Sequence, residues 1–386
     1  MNRSRGFVII ALAVVVAMSF TTLAVAQRVS SEERNAIFAS ASKINTGVPG
    51  VQAFAAPPKS FNPLTATNRE LLNYGLPQRP DQAADPKAYQ HWEKAMLAIK
   101  THGTDVKAQP YSSVSMRPAG NGQAAGTPDA SGVTFYNSGN WSGIANTNTN
   151  RVWKTTTSFD EVVSYWNVPV ANHPFGNIPC SYGPWFEVTW NGIDGFNNGD
   201  VVQGGSAEYW DDGGCGGPVQ YYGWVEWYPS YSILAIYCGS NPCPVGPGDD
   251  FVAVTYGAPG TSTQSVFVED ITQQWSGTFS LPYVTGPGLV GSSAEYIVER
   301  PCCNGSNLFP LGNYVFEFMG YNYAFDVAGT LFYPGSTSLH TAVITMLGDD
   351  GSSISTPLIY GTSGNAGRYS IMLEDEGCAY SGGCVP

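Results

Sequence analysis

Tyr222-Gly223-Trp224-Val225-Glu226-Trp227-Tyr228-Pro229 reads as a strand with two unlike faces. Side chains alternate along a strand, so Tyr222, Trp224, Glu226 and Tyr228 share one face while Val225 and Trp227 point to the other. An acid among aromatics describes a substrate groove better than a solvated sheet face; core filling is the plain alternative. The pattern recurs at Val162–Val168, Trp185–Trp190, Phe251–Tyr256, Ser265–Asp270, Ala294–Val298 and Tyr314–Met319. Turn clusters such as Asp211-Asp212-Gly213-Gly214 and Gly348-Asp349-Asp350-Gly351 separate these segments. Composition agrees: 45 Gly, 27 Pro, 13% aromatic and only 12% charged residues suit short strands joined by many turns. The expected class is all-β, a sandwich of antiparallel sheets.

A charge break divides the chain near residue 120. Residues 27–120 hold 11 Lys and Arg against 7 Asp and Glu. From residue 121 onward only Arg151, Lys154, Arg300 and Arg368 are basic, against 23 acidic residues. The basic part also carries the helix signals. Asp85 caps a helix with Pro86 first, Tyr89, Trp92, Met96 and Ile99 on one face, and Gly103 at its end. Ser30 with Glu33 marks another start in capping-box spacing. Ahead of this part, Arg3 and Arg5, the apolar run Phe7 to Phe20 and Ala24-Val25-Ala26 read as an export signal, with a retained membrane anchor as the alternative. The expected division is 1–26 signal peptide, 27–130 basic prosegment and linker, and 131–386 β-sandwich domain. Opposite charges would hold prosegment and domain together near neutral pH and loosen in acid.

The β region contains only two histidines, His173 and His340, and no Gly-x-Ser-x-Gly turn, which argues against a Ser-His-Asp hydrolase. It has no HExxH helix, phosphate loop or dinucleotide glycine pattern. Its acidity opposes nucleic-acid binding. All eight cysteines follow residue 179, and their even number in an exported chain suggests disulfides. Cys238–Cys243 and Cys378–Cys384 are natural local loops, while pairing among Cys180, Cys215, Cys302 and Cys303 stays open. No metal and no cofactor is expected. What remains is carboxylate and amide chemistry.

Three segments carry it: Trp190-Asn191-Gly192-Ile193-Asp194-Gly195 with Val201-Val202-Gln203-Gly204-Gly205, the opening stretch, and Ser293-Ala294-Glu295-Tyr296-Ile297-Val298-Glu299-Arg300. In the last, Glu295, Ile297 and Glu299 share a face opposite Ala294, Tyr296 and Val298. In this order, with Asn140-Trp141-Ser142-Gly143, Ser158-Phe159-Asp160 and Tyr165-Trp166-Asn167-Val168-Pro169 ahead of them, the segments resemble the glutamic peptidases, the eqolisin family. The resemblance covers somewhat over half the chain. It implies two curved antiparallel sheets of jelly-roll or concanavalin-like form behind a basic, partly helical prosegment that acts as inhibitor. It also implies a secreted, acid-active endopeptidase. The catalytic pair it implies is Gln203 and Glu295, and the groove residues are Trp141, Trp190, Asp194, Trp224 and Glu226. Protein or peptide substrates, no nucleic acid, no membrane after signal removal and a monomer complete the expectation. Val202, Gly204 and Ala207 depart from the family's usual residues around the glutamine, which bears on substrate preference. A glycosidase using Glu226 and Glu295, or a non-catalytic sugar- or peptide-binding sandwich, are the alternatives.

Overall fold

The structure, a computed structural model, describes residues 28–102, 106–110, 123–124, 133–150, 158–172, 184–210, 217–302, 308–314, 316–336, 339–360 and 370–375. The proposed signal segment, His173, Gly103 and five of the cysteines (Cys180, Cys215, Cys303, Cys378, Cys384) lie outside these residues. Among the described residues, no helix is long and apolar enough to cross a membrane.

In chain order the elements begin with α1 (Ser31–Ser40), β1 (Lys43–Asn45), β2 (Gln52–Phe54), α2 (Asn68–Asn73), α3 (Pro86–His102), β3 (Lys107–Pro110) and β4 (Gln123–Ala124). The strands β5 (Val133–Ser138), β6 (Trp141–Asn150), β7 (Phe159–Asn167), β8 (Trp185–Ile193), β9 (Val201–Trp210), β10 (Gln220–Tyr228), β11 (Leu234–Cys238) and β12 (Asn241–Pro242) follow. Then come β13 (Asp250–Tyr256), β14 (Thr263–Asp270), β15 (Trp275–Pro282), β16 (Ser293–Glu299) and β17 (Phe316–Asp326). The last are β18 (Leu331–Phe332), β19 (Leu339–Leu347), β20 (Ser353–Tyr360) and β21 (Ser370–Asp375).

The strands form two sheets. The first runs β3-β11-β10-β9-β8-β16-β6-β19-β5-β4, and the second runs β1-β2-β15-β14-β13-β7-β17-β21-β20. Pairing is antiparallel apart from β5 on β19, and the β19–β20 hairpin turns the corner between the sheets. Period-two alternation sorts the side chains as expected. Val202, Val225, Trp227, Ala294, Tyr296 and Val298 of the first sheet meet Val162, Trp166, Phe251, Ala253 and Val266 of the second in the core between them. Cys238 and Cys243 form the local disulfide, and Cys302 is buried.

The N-terminal region covers the outer face of the second sheet. Ile37, Phe38, Leu71, Leu72, Leu76, Trp92, Met96 and Ile99 pack on Val163, Tyr165, Val252, Val254, Tyr256, Phe267, Tyr321 and Tyr323. Its caps explain where the helices start. The Asp85 carboxylate accepts from Ala88 N–H, and the Ser30 hydroxyl accepts from Glu33 N–H. The complete capping box, however, is Thr67 with Glu70 at the head of α2, where no helix start was expected. Charged contacts line this layer: Arg28–Glu161, the buried pair Arg34–Asp160, and Lys94–Asp250. Burying each large apolar side chain contributes about 1.5–3 kcal/mol. A part-exposed ion pair such as Arg28–Glu161 contributes about 1 kcal/mol at most, so apolar contact dominates.

Candidate active site

The outer face of the first sheet gathers the expected residues. Register places Glu226, Gln203, Gly192, Glu295 and Ala145 side by side on β10, β9, β8, β16 and β6. Gln203 and Glu295 thus stand two strands apart, about 10 Å between backbones. Gly192 lies between them and contributes no side chain. A Cβ there would approach the Trp190 ring to 2.8 Å and the Gln203 Cβ to 3.2 Å. The neighbouring row carries Trp224, Gly205, Trp190 and Ile297. Gly205 is obligatory in that row, because a Cβ would sit 1.9 Å from the Thr189 carbonyl oxygen. Trp141, Trp190 and Trp224 belong to one apolar cluster on this face, with Tyr136, Phe196, Tyr228 and Phe309 among its other members and flanking residues.

Partners separate the polar residues. Gln203 donates from Nε2 to Glu226 Oε2 at 2.8 Å, which fixes the amide's orientation. Its Oε1 has no hydrogen-bond partner. Both Glu295 oxygens are likewise unpartnered by distance and angle, and the residue is fully buried. Burial pushes the Glu295 carboxyl well above its ordinary value. The Ser293 hydroxyl and the Phe196 N–H, close by, oppose this, and the Asp194 charge adds to it. Burial therefore favours the neutral acid form of Glu295.

Asp194 is placed differently from the tryptophans. It follows β8 with φ 70°, and its carboxylate accepts from the N–H groups of Val290, Gly291 and Ser292 and from the Ser292 hydroxyl, at 2.6–2.9 Å. Four donors occupy both oxygens, so Asp194 secures the loop that leads into Glu295. Glu299 is the residue the sequence reading left without a role. It accepts from Trp190 Nε1 at 3.0 Å and from Asn140 Nδ2 at 3.1 Å, which orients the indole that borders Gly192. Its position four residues after Glu295 on the same face was the available signal.

The peptidase A4 family profile matches residues 139–342, more than half of the chain and the whole of this face. The chain belongs to the peptidase A4 family. Family membership makes it a glutamic endopeptidase, a hydrolase of peptide bonds. Among solved structures it is similar to scytalido-glutamic peptidase with a peptide-based transition-state analogue, at 19% identity over 61% of this chain and 98% of that one, TM-score 0.46. SCP-B, an eqolisin in complex with a tripeptide, matches at 17% identity over 61% and 98%, TM-score 0.45. Aspergilloglutamic peptidase from Aspergillus niger matches at 22% identity over 50% and 99%, TM-score 0.39. No curated protein matches the chain.

Proposed function

We propose that this glutamic peptidase is an acid-active endopeptidase whose hydrolytic pair is Gln203 and Glu295, exported and made as a latent precursor. The observation that carries the pair is the row itself: an oriented amide and a buried carboxyl flank a glycine over which the Trp190 ring lies. Trp141, Trp190 and Trp224 line the peptide site. Asp194 and Glu226 support the pair by holding the Glu295 loop and the Gln203 amide.

The raised Glu295 pKa supports a particular order of events. In acid Glu295 starts as the neutral carboxylic acid. As water adds to the scissile carbon, the Glu295 proton moves to the carbonyl oxygen, and the carboxylate accepts the proton that water gives up. Glu295 is neutral again. It then passes its proton to the leaving amine as the C–N bond breaks, and recovers one from the tetrahedral hydroxyl as the carbonyl re-forms. Gln203 keeps one Nε2–H for the carbonyl oxygen as charge builds there and the proton arrives, and Oε1 for the water. The opposite order, an ionised carboxylate acting first as base, would need Glu295 to ionise in a site that disfavours charge.

Purified protein incubated with a denatured protein at pH 3–4 and at pH 7, with and without an active-site inhibitor of aspartic peptidases, tests the reading. Acid-only, inhibitor-resistant cleavage that disappears in Glu295→Gln is expected. Undiminished cleavage by that variant would remove Glu295 from the chemistry.

A further inference from the structure

We propose that residues 28–110 are a permanent second layer of the enzyme, which stays bound to the peptidase domain in acid even when the chain joining them is cut. Three observations lead there. The region completes both sheets on the same open side of the sandwich: β2 pairs with β15 of the second sheet, and β3 pairs with β11 of the first. Its three helices cover the outer face of the second sheet, where Phe38 meets Tyr256 edge-on at 5.2 Å and His91 lies against Tyr165 and Tyr321. None of its described residues belongs to the apolar cluster around Trp190 and Trp224, so the layer sits behind the hydrolytic face and not across it. Removing it would strip two sheet edges of their partners and expose a continuous apolar face.

Asp160 and Glu269 do not undo this attachment in acid, while Glu161, paired with Arg28 and Arg34, and Asp250, paired with Lys94, also face the layer. Burial raises Asp160 to about 6 against the pull of Arg34, and burial raises Glu269 well above the usual carboxylate range. A carboxyl with a raised folded-state pKa holds its proton more tightly in place than when exposed. Its contribution is fully present in acid and is lost as pH rises through the raised value. His91 works the other way, because burial and Lys94 lower its pKa and its protonation costs the docked layer as pH falls. Burial lowers the Arg28 pKa, but Glu161 beside it outweighs that cost and raises it, so Arg28 keeps its charge. The expectation that opposite charges would loosen the region in acid therefore gives way to an apolar layer with a small charged fringe.

This inference rests on the proposed precursor and revises it in one respect, since latency then does not come from residues 28–110 lying across the hydrolytic face. Its test reads mass instead of proteolysis, so it can fail while Gln203 and Glu295 stand. A recognition sequence for an unrelated site-specific protease, inserted between Met116 and Ser131 of the full chain, allows one cut at pH 7. The two pieces are then followed by gel filtration and mass spectrometry at pH 7 and pH 4. Co-elution of both pieces at both pH values is expected. Release of the N-terminal piece at pH 4 from a peptidase domain that stays folded and monomeric would overturn the proposal. In urea, the separation midpoint of the nicked protein is expected to fall further for Phe38→Ala than for Arg28→Ala, and the reverse order would also overturn it.

Discussion

On the outer face of the first sheet, Glu226 and Glu299 each meet a fixed side-chain donor, whereas Glu295 stands beside Gly192 and the Trp190 ring that lies over it. On the inner face of the same sheet, Glu187 and Glu208 stand directly opposite one another on β8 and β9, with Glu317 reaching in from β17. All are buried. Burial first, and then the neighbouring carboxyls, push Glu208 and Glu317 well above the ordinary range. The same residue type is thus an instrument on one face and a liability on the other. What separates them is the company each keeps. The outer row sets an amide, a glycine and one acid in sequence, whereas the inner group sets acid against acid. In both groups the carboxyls hold their protons more tightly than free ones, Glu295 through burial and the inner acids through burial and mutual repulsion.

The largest effect expected from breaking this contrast is on the outer face. Glu295→Gln keeps shape and removes the titrating proton, so kcat should fall by about 10³-fold or more, near the upper range for loss of a general acid–base. Circular dichroism and thermal melting should be unchanged, which distinguishes lost chemistry from lost fold. Gln203→Ala comes next, with kcat lowered about 10²–10³-fold at nearly constant KM, as for removal of one oxyanion donor. A large rise in KM with kcat intact would instead make Gln203 a binding residue.

Strand faces were legible because they depend only on alternation. Tyr222, Trp224 and Glu226 were separated from Val225 and Trp227 by counting, and the structure keeps that separation. The helix at Pro86 was legible from its cap and one apolar face. The pair Gln203 and Glu295 was readable only through the ordered motifs, since their neighbourhood is made by β8 lying between β9 and β16. Gly192 looked like one glycine among 45 until register placed it between Gln203 and Glu295. The opposition of Glu187 to Glu208, and of both to Glu317, needs pairing across sheets that no local pattern encodes. Charge contrast found the N-terminal region, but where it docks follows from Val163, Tyr165 and Tyr256 forming an apolar outer face.

The inner group gives a smaller and opposite effect. Glu208→Gln should stabilise the protein at pH 7 by about 1–3 kcal/mol, the desolvation penalty of a buried group left without a good partner. The sign follows from the raised pKa. Wild-type stability from Glu208 is fully present below the carboxyl's unfolded-state pKa and drains away as pH rises through the folded-state value. Glutamine does not titrate, so urea unfolding at pH 4 should show little difference between the two proteins. A gain at pH 4 equal to that at pH 7 would mean packing, not charge, is responsible.

Glu226→Gln is the mildest break and the most discriminating. The substituted amide still offers an oxygen to Gln203 Nε2, so the geometry at 2.8 Å can persist while the carboxyl is lost. An amide carries one acceptor oxygen where the carboxyl carries two, and its NH2 end repels Nε2, so the Gln203 amide is held less firmly. The expected result is a fall in kcat of about tenfold or less, equivalent to about 1.4 kcal/mol, with KM held. Glu226→Ala, which leaves the amide no acceptor, should cost more. If instead the Gln variant lost as much activity as Glu295→Gln, Glu226 would itself exchange a proton in the reaction, and the outer face would hold two working acids where the row provides for one.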